Sequence, residues 1–243
     1  MIKNQSDEVS DMAASIATGL DKLIQAAPVG DGSQGGIQDD FRGLLDAKTS
    51  LVLLSNGWGQ KYVDEIDLSG ERWHEVFHQA KALVEKAALV AFIGNRGPGK
   101  TQMAAEIARA GDWPLDAGEW NGNRNVYKQT AIYRRAMDIF LDLRDANKVG
   151  SKVSEKDVLA KLEKAGLLVI DEFQERGSSE WENRIISNLI DKRYAAQRPT
   201  IIIANFTPDE MKSALSDSVK SRMRENGKAF IFEWASFRNT PKP

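Results

Sequence analysis

Gly94-Asn95-Arg96-Gly97-Pro98-Gly99-Lys100-Thr101 fits the pattern G-x-x-x-x-G-K-[ST]. An apolar run, Leu89-Val90-Ala91-Phe92-Ile93, leads into it, and a helix predicted over Gln102–Arg109 leads out. A strand, a glycine-rich turn and a helix in that order form a phosphate cradle. The glycines let backbone N–H groups curl around phosphate oxygens, and the helix N-terminus adds partial positive charge. Lys100 is then expected at the β- and γ-phosphates and the Thr101 hydroxyl on Mg²⁺, with Gln102 opening the helix beside them. The nucleotide-binding set is Gly94, Asn95, Arg96, Gly97, Pro98, Gly99, Lys100, Thr101 and Gln102, and the ligand it implies is ATP.

Outward from this loop the chain alternates strand and helix. Further strands are predicted at Val126–Thr130, Leu167–Ile170, Thr200–Ala204 and Ala229–Glu233, and a helix over residues 72–86 precedes the first strand. Ser154-Glu155-Lys156-Asp157, Ser179-Glu180-Trp181-Glu182 and Thr207-Pro208-Asp209-Glu210 read as capping boxes, the last with proline at the first helical position. Such alternation predicts an α/β fold: a five-stranded parallel sheet with helices on both faces.

Leu167-Leu168-Val169-Ile170 runs straight into Asp171-Glu172. An apolar strand that ends in a carboxylate delivers it to the C-terminal edge of the sheet, where open α/β sheets bind ligands. Asp171 is expected to hold Mg²⁺ with Thr101, and Glu172 to orient and polarise the attacking water. Asn205 follows the strand Thr200–Ala204. On its residues alone it reads equally as a γ-phosphate contact or as a turn former before Phe206-Thr207-Pro208. His74-Glu75-Val76-Phe77-His78 matches H-E-x-x-H and would put two imidazoles on one helix face. These are the chain's only histidines, and the segment reads better as an amphipathic helix with Trp73, Phe77, Ala80 and Val84 on its apolar side. Zinc chemistry is therefore not expected.

The 243 residues have 42% hydrophobic content and no cysteine, which excludes disulfides and thiolate metal sites. No apolar run approaches the roughly 18 residues that cross a bilayer, and residues 1–8 lack a signal-peptide pattern; a cytoplasmic setting is expected. Residues 1–70 carry 11 acidic and 5 basic side chains, against 24 and 28 in the remainder. Val9, Met12, Ala13, Ile16, Leu20, Leu23 and Ile24 fall at helical spacing, Gly30-Asp31-Gly32-Ser33-Gln34-Gly35-Gly36 reads as a linker, and a short helix is expected around Asp39–Ala47. Residues 51–70 give no clear element. The expected organisation is an N-terminal partner-binding extension, residues 1–48, and an ATPase domain, residues 49–243. Between the second and third strands, Arg124, Lys128, Arg134, Arg135, Arg144, Lys148 and Lys152 interleave with Tyr127, Tyr133 and Phe140. This is either a single-strand nucleic-acid track or a solvated face diluted by Asp138, Asp142 and Asp145.

A more discriminating pattern lies in Asp171-Glu172-Phe173-Gln174, Asn188-Leu189-Ile190-Asp191-Lys192-Arg193, Arg198-Pro199-Thr200, Ser221-Arg222-Met223-Arg224 and Phe232-Glu233-Trp234-Ala235-Ser236-Phe237-Arg238. From about residue 72 to Arg238 the chain resembles the AAA+ ATPases of the bacterial helicase-loader family, DnaC-like proteins, and their IstB-type transposition relatives. The resemblance implies a sensor I role for Asn205, a trans-acting arginine finger in Arg222, and a sensor II position for Arg238. Without the resemblance, Arg222 and Arg224 read as solvated helix charges. It also implies an ATPase that assembles on single-stranded DNA, with Arg134, Arg135, Lys148 and Lys152 as candidate contacts. Self-association through the ATP site and delivery of a replicative hexameric helicase follow from it. Two alternatives stand beside this: an IstB-type ATPase acting with a transposase, and a nucleotide-switched adaptor with little turnover.

Overall fold

The computed structural model describes residues 49–50, 52–63, 71–111, 113, 131–177 and 179–237. They divide between two units, one ending at Asp64 and one beginning at Glu65. In the first, residues 52–55 and Gln60–Val63 are helical, and Leu53, Trp58 and Val63 are buried. The predicted helices over 9–24 and 39–47 and the Gly-rich linker lie outside the described residues.

Among the described residues the second unit holds five strands, β1 (Leu89–Gly94), β2 (Ala131–Arg135), β3 (Leu167–Asp171), β4 (Thr200–Ile203) and β5 (Gly227–Phe232). Its helices are α1 (Glu71–Val84), α2 (Lys100–Ala110), α3 (Ala136–Ala146), α4 (Glu155–Lys164), α5 (Glu180–Ala195), α6 (Pro208–Ala214) and α7 (Asp217–Asn226). The strands form one sheet in the order β2-β3-β4-β1-β5, and every pairing is parallel. Leu89, Ala91, Ile93, Leu168, Ile170 and Ile202 face one way and pack with Phe140, Leu143, Leu162, Ile186, Leu189 and Val219 from α3, α4, α5 and α7. Alternate residues face the other way, where Phe92 meets Phe230 and Phe232, and where α1 and α2 lie. β1, β3 and β4 are buried on both faces, which is why they read as unbroken apolar runs.

The expected strand Val126–Thr130 lies outside the described residues. The strand beside β3 is Ala131–Arg135, a stretch that sequence reading left within a basic cluster. Among the described residues it is an edge strand, paired on one side by β3, and its last residues carry charge. The capping boxes at Ser154/Asp157 and Thr207/Glu210 are complete, the latter with Pro208 in the first turn. The third is only half formed and corrects the expectation. Ser179 accepts from the Glu182 N–H, but the Glu182 carboxylate turns inward, buried, to meet Arg144 at 3.2 Å. Gly177 makes the room, since a Cβ there would lie 2.1 Å from Glu182 Oε2.

Arg193 is wholly buried and ties two elements together. Its guanidinium donates to the carbonyls of Leu162 and Ala165, both at 2.7 Å, and to Glu163, Pro199 and the Thr200 hydroxyl. It thereby satisfies carbonyls at the end of α4 that have no partner within the helix. Burial pushes its pKa down to about 9, which still leaves it cationic at neutral pH.

Candidate nucleotide site

All five strands point the same way, so their C-terminal ends share one edge. At that edge β4 separates β1 from β3, which places Asn205 between the loop after β1 and the acids after β3. The loop is built as its glycines demand. Gly94, Gly97 and Gly99 have φ of 119°, 106° and 86°, a region that side-chain-bearing residues avoid. The preceding strand hands over directly: the Gly94 N–H donates to Phe206 O at 3.0 Å and the Ala204 N–H to Phe92 O at 3.0 Å, so β1 and the β4 exit are locked together.

Lys100 is only 6% exposed. Its ammonium donates to Gly94 O at 2.9 Å, to Asn95 O, and to Asn205 Oδ1 at 2.9 Å. A buried cation is stable only when so hydrogen-bonded, and three acceptors match the three donors of an ammonium. Asn205 therefore sits on the same ammonium that a phosphate would meet, and its own N–H donates to Gln174 Oε1 at 2.9 Å.

Thr101 donates its hydroxyl to Asp171 Oδ2 at 2.7 Å. Tyr133 donates to the same oxygen at 3.0 Å, and the Glu172 N–H donates to Oδ1 at 2.6 Å. Asp171 is buried, and these three donors offset the cost of its charge. Tyr133 reaches it because strand register sets Tyr133 opposite Val169 and Arg135 opposite Asp171, with Tyr133 and Asp171 on one face. A threonine hydroxyl and a carboxylate oxygen in direct contact, beside a buried lysine, form a donor set suited to Mg²⁺.

Glu172 stands apart. Its backbone is left-handed, φ 50° and ψ 43°, and its side chain is half exposed. An Arg135 nitrogen lies 3.9 Å from its carboxylate, while the same guanidinium holds Asp138 at 2.9 and 3.1 Å. A glutamate in this backbone region costs of order 1 kcal/mol, a strain that accumulates at functional sites.

Among the other expected site residues, Asn95, Arg96 and Pro98 lie on the loop between the glycines, and Gln102 is buried in the first turn of α2. Arg96 reaches Glu175 at 3.5 Å. Arg222 lies on α7, with Asp191 at 3.5 Å, Glu225 at 4.0 Å and the Tyr194 ring 4.7 Å below its guanidinium; none of these belongs to the Lys100–Asp171 group. Arg238 lies outside the described residues. Of the basic candidates, Arg134 has Asp142 at 3.9 Å, Lys148 has Asp145 at 2.6 Å, and Lys152 is exposed. Burial raises the Asp142 carboxyl above the usual range, and Arg134 pulls it back. His74 and His78 are exposed on α1, edge-on to Trp73 and Phe77, while Trp73, Ala80 and Val84 are buried as the amphipathic reading expects. Sequence reading assigned no role to Gln174 and gave Tyr133 and Arg135 only to the basic track. Only strand register shows that they meet the acids.

Residues 76–222 match the family described as IstB-like ATP binding protein. The replicative helicase loader DnaC of Escherichia coli (strain K12) is 31% identical over 150 residues, which are 61% of this chain and 55% of that protein. The DnaC of Buchnera aphidicola subsp. Schizaphis graminum is 26% identical over 202 residues, 79% of this chain and 76% of that one. This chain thus spans about half the length of the Escherichia coli relative it matches. A crystal structure of the DnaC helicase loader superposes with a TM-score of 0.51 at 20% identity, covering 70% of this chain and 93% of that one. The replication initiator DnaA bound to AMPPCP and single-stranded DNA gives 0.54 at 18% identity, covering 73% and 51%. These structures establish the fold as that of the AAA+ P-loop ATPases. With the buried Lys100, the Thr101–Asp171 pair and the left-handed glycines all inside a matched stretch longer than half the sequence, the chain belongs to the IstB-like ATP binding protein family.

Proposed function

We propose that this chain hydrolyses ATP and uses the cycle to assemble on single-stranded DNA and deliver a replicative hexameric helicase during DNA replication. The observation that carries the ATPase part is the convergence of Lys100, Asn205, Thr101, Asp171 and Glu172 at one sheet edge. The loop N–H groups from Gly94 to Thr101 bind the phosphates, and Lys100 neutralises the β- and γ-phosphates. Mg²⁺, which would be held by Thr101 Oγ1 and Asp171, supplies charge neutralisation between the phosphates when bound. Glu172 orients and polarises the attacking water, and Asn205 senses the γ-phosphate through the group it shares with Lys100. Arg222, which bonds none of these residues in its own chain, acts on ATP held by a neighbouring subunit; Arg238 is the sensor II candidate.

The loader part is supported by relatives that are named replicative helicase loaders, and the DNA part by a protein of this fold that was solved with AMPPCP and single-stranded DNA. Arg134, Arg135, Lys148 and Lys152 are the proposed DNA contacts. Three of them already face acids, so binding exchanges one ion pair for another, and the freed carboxylates soften the loss of affinity with rising salt. Residues 1–48 are the proposed grip on the partner, residues 49–243 the ATPase domain, and the cytoplasm the setting. Among the described residues no helix is long and apolar enough to cross a membrane.

A second reading, an ATPase that works with a transposase on duplex DNA, draws on the family description, which is IstB-like. The test measures steady-state ATP hydrolysis with single-stranded or duplex DNA, and capture of purified hexameric helicase with and without ATP. Stimulation by single strands with ATP-dependent helicase capture is expected. Stimulation by duplex alone, without capture, would favour the transposition reading. Negligible turnover with intact ATP-dependent capture would leave an adaptor.

A further inference from the structure

The P-loop has a second set of neighbours that the phosphate chemistry does not use. Residues 233–237, which follow β5, lie against it. The Trp234 indole N–H donates to Pro98 O at 2.9 Å, and the Phe237 N–H donates to Gly97 O at 3.1 Å. Each glycine of the motif is closely approached by this part of the chain. A Cβ on Gly94 would lie 2.6 Å from Phe232 O, one on Gly97 would lie 2.0 Å from Ser236 Oγ, and one on Gly99 would lie 3.3 Å from the Phe237 ring. On its other side the segment is held by Arg72, 5.8 Å from the Trp234 ring and 3.9 Å from Glu233, and the Trp234 ring packs on Phe232 at 4.6 Å.

A loop whose N–H groups converge on phosphates needs partners for its carbonyls. Here two consecutive carbonyls, Gly97 and Pro98, are bonded by the segment after the last strand. Freed of those bonds, the loop would have more conformations to lose on binding phosphate, and affinity would fall. We infer that Trp234 and Phe237 are positioning residues of the nucleotide site, and that residues 232–237 form a back wall holding the Gly94–Thr101 loop in its phosphate-binding shape. The inference rests on the reading of that loop as the ATP site. It has a reciprocal consequence: whatever affinity the wall lends to nucleotide, nucleotide returns as order in the wall. It also gives the three glycines a cause beyond their φ angles, since a side chain at any of them would meet the wall.

The test uses the full chain with Mg²⁺-ADP and Mg²⁺-ATP. Trp234→Phe keeps an aromatic ring against Phe232 and deletes the N–H donor together with the smaller ring that carries it. The dissociation constant for both nucleotides should rise about 5- to 10-fold, the size of one lost hydrogen bond, while kcat at saturation stays within about twofold of wild type. Hydrogen exchange at the Phe237 amide in the wild-type chain should slow when ADP is added, and should slow less in Trp234→Phe. Wild-type affinity in Trp234→Phe together with a Phe237 amide indifferent to ADP would overturn the inference, even though the wild-type chain binds nucleotide. No nucleotide binding by the wild-type chain would overturn the site itself and this inference with it.

Discussion

Replacing Glu172 with glycine separates the cost of its backbone from the work of its carboxylate. Its φ of 50° lies in the left-handed region, which costs a residue with a Cβ roughly 1–2 kcal/mol. Glycine removes that strain and returns roughly 0.5–1 kcal/mol of it as extra chain entropy in the unfolded state. The contact with Arg135 is also lost, but at 3.9 Å and with both side chains about half exposed it is screened and contributes at most a few tenths of a kcal/mol. The net is a change between about zero and 1 kcal/mol in favour of folding, or a Tm unchanged to about 4 °C higher. Turnover moves the other way. A positioned general base supplies about 10²–10⁴-fold, so Glu172→Gly should hydrolyse ATP at least about a hundredfold more slowly while binding it normally. Ala87 and Gln197 have φ of 59° and 53° and lie outside the site, so Ala87→Gly and Gln197→Gly are internal controls: a similar stability change and unaltered turnover. Thermal unfolding and steady-state hydrolysis on the same preparations decide it. If Glu172→Gly loses several kcal/mol of stability, or keeps turnover within tenfold of wild type, the residue is structural and not the base.

Three further outcomes follow from the geometry. Arg193→Met should cost about 3–5 kcal/mol in urea unfolding, because it removes a donor from four carbonyls at once, of which Glu163 O keeps Arg198 and Pro199 O keeps the Leu168 N–H while the buried Leu162 and Ala165 carbonyls lose the guanidinium; a loss under about 1 kcal/mol would mean those carbonyls find other donors. Tyr133→Phe leaves Asp171 its Thr101 and Glu172 partners, so Mg²⁺-ATP affinity by calorimetry should fall less than about tenfold, against a larger loss in Asp171→Asn; equal losses would make the tyrosine as important as the carboxylate's charge. Arg222→Ala and Lys100→Ala should each be inactive alone and regain activity when mixed, since a mixed interface pairs an intact site with an intact finger; a trans-acting arginine is worth about 10³–10⁵ in turnover, so a mixture that stays dead while the proteins associate would rule it out.

The parts of the fold that could be read from the chain are those whose cause is local. β1, β3 and β4 are buried on both faces and announce themselves as apolar runs, and the loop after β1 needs glycine at left-handed positions that the motif records. Two of the three capping boxes are likewise local and complete. The third stays incomplete because the fate of Glu182 is settled by a glycine five residues before it and an arginine on another helix, neither of which a four-residue pattern contains. β2 lies just C-terminal to the strand expected at Val126–Thr130, because an edge strand need not be apolar throughout and Arg134-Arg135 read as part of a nucleic-acid track or a solvated face.

The site itself depends on something no periodicity carries, the order of strands in the sheet. Lys100 and Asn205 are 105 residues apart, and Thr101 and Asp171 are 70 apart, yet each pair is in hydrogen-bond contact. They meet because β4 comes to lie between β1 and β3, out of chain order. Swap β4 for β5 in that order and the same sequence pattern would leave Asn205 two strands farther from Asp171, no longer between the Lys100 loop and the acids. The turn reading of Asn205 and its reading as a phosphate sensor are even on residues alone, and the contact with Lys100 is what favours the proposed sensor role. An amide that shares an ammonium with the P-loop and takes its backbone acceptor from Gln174, just past Glu172, links the two halves of the site, a role that a turn former at the surface would not need.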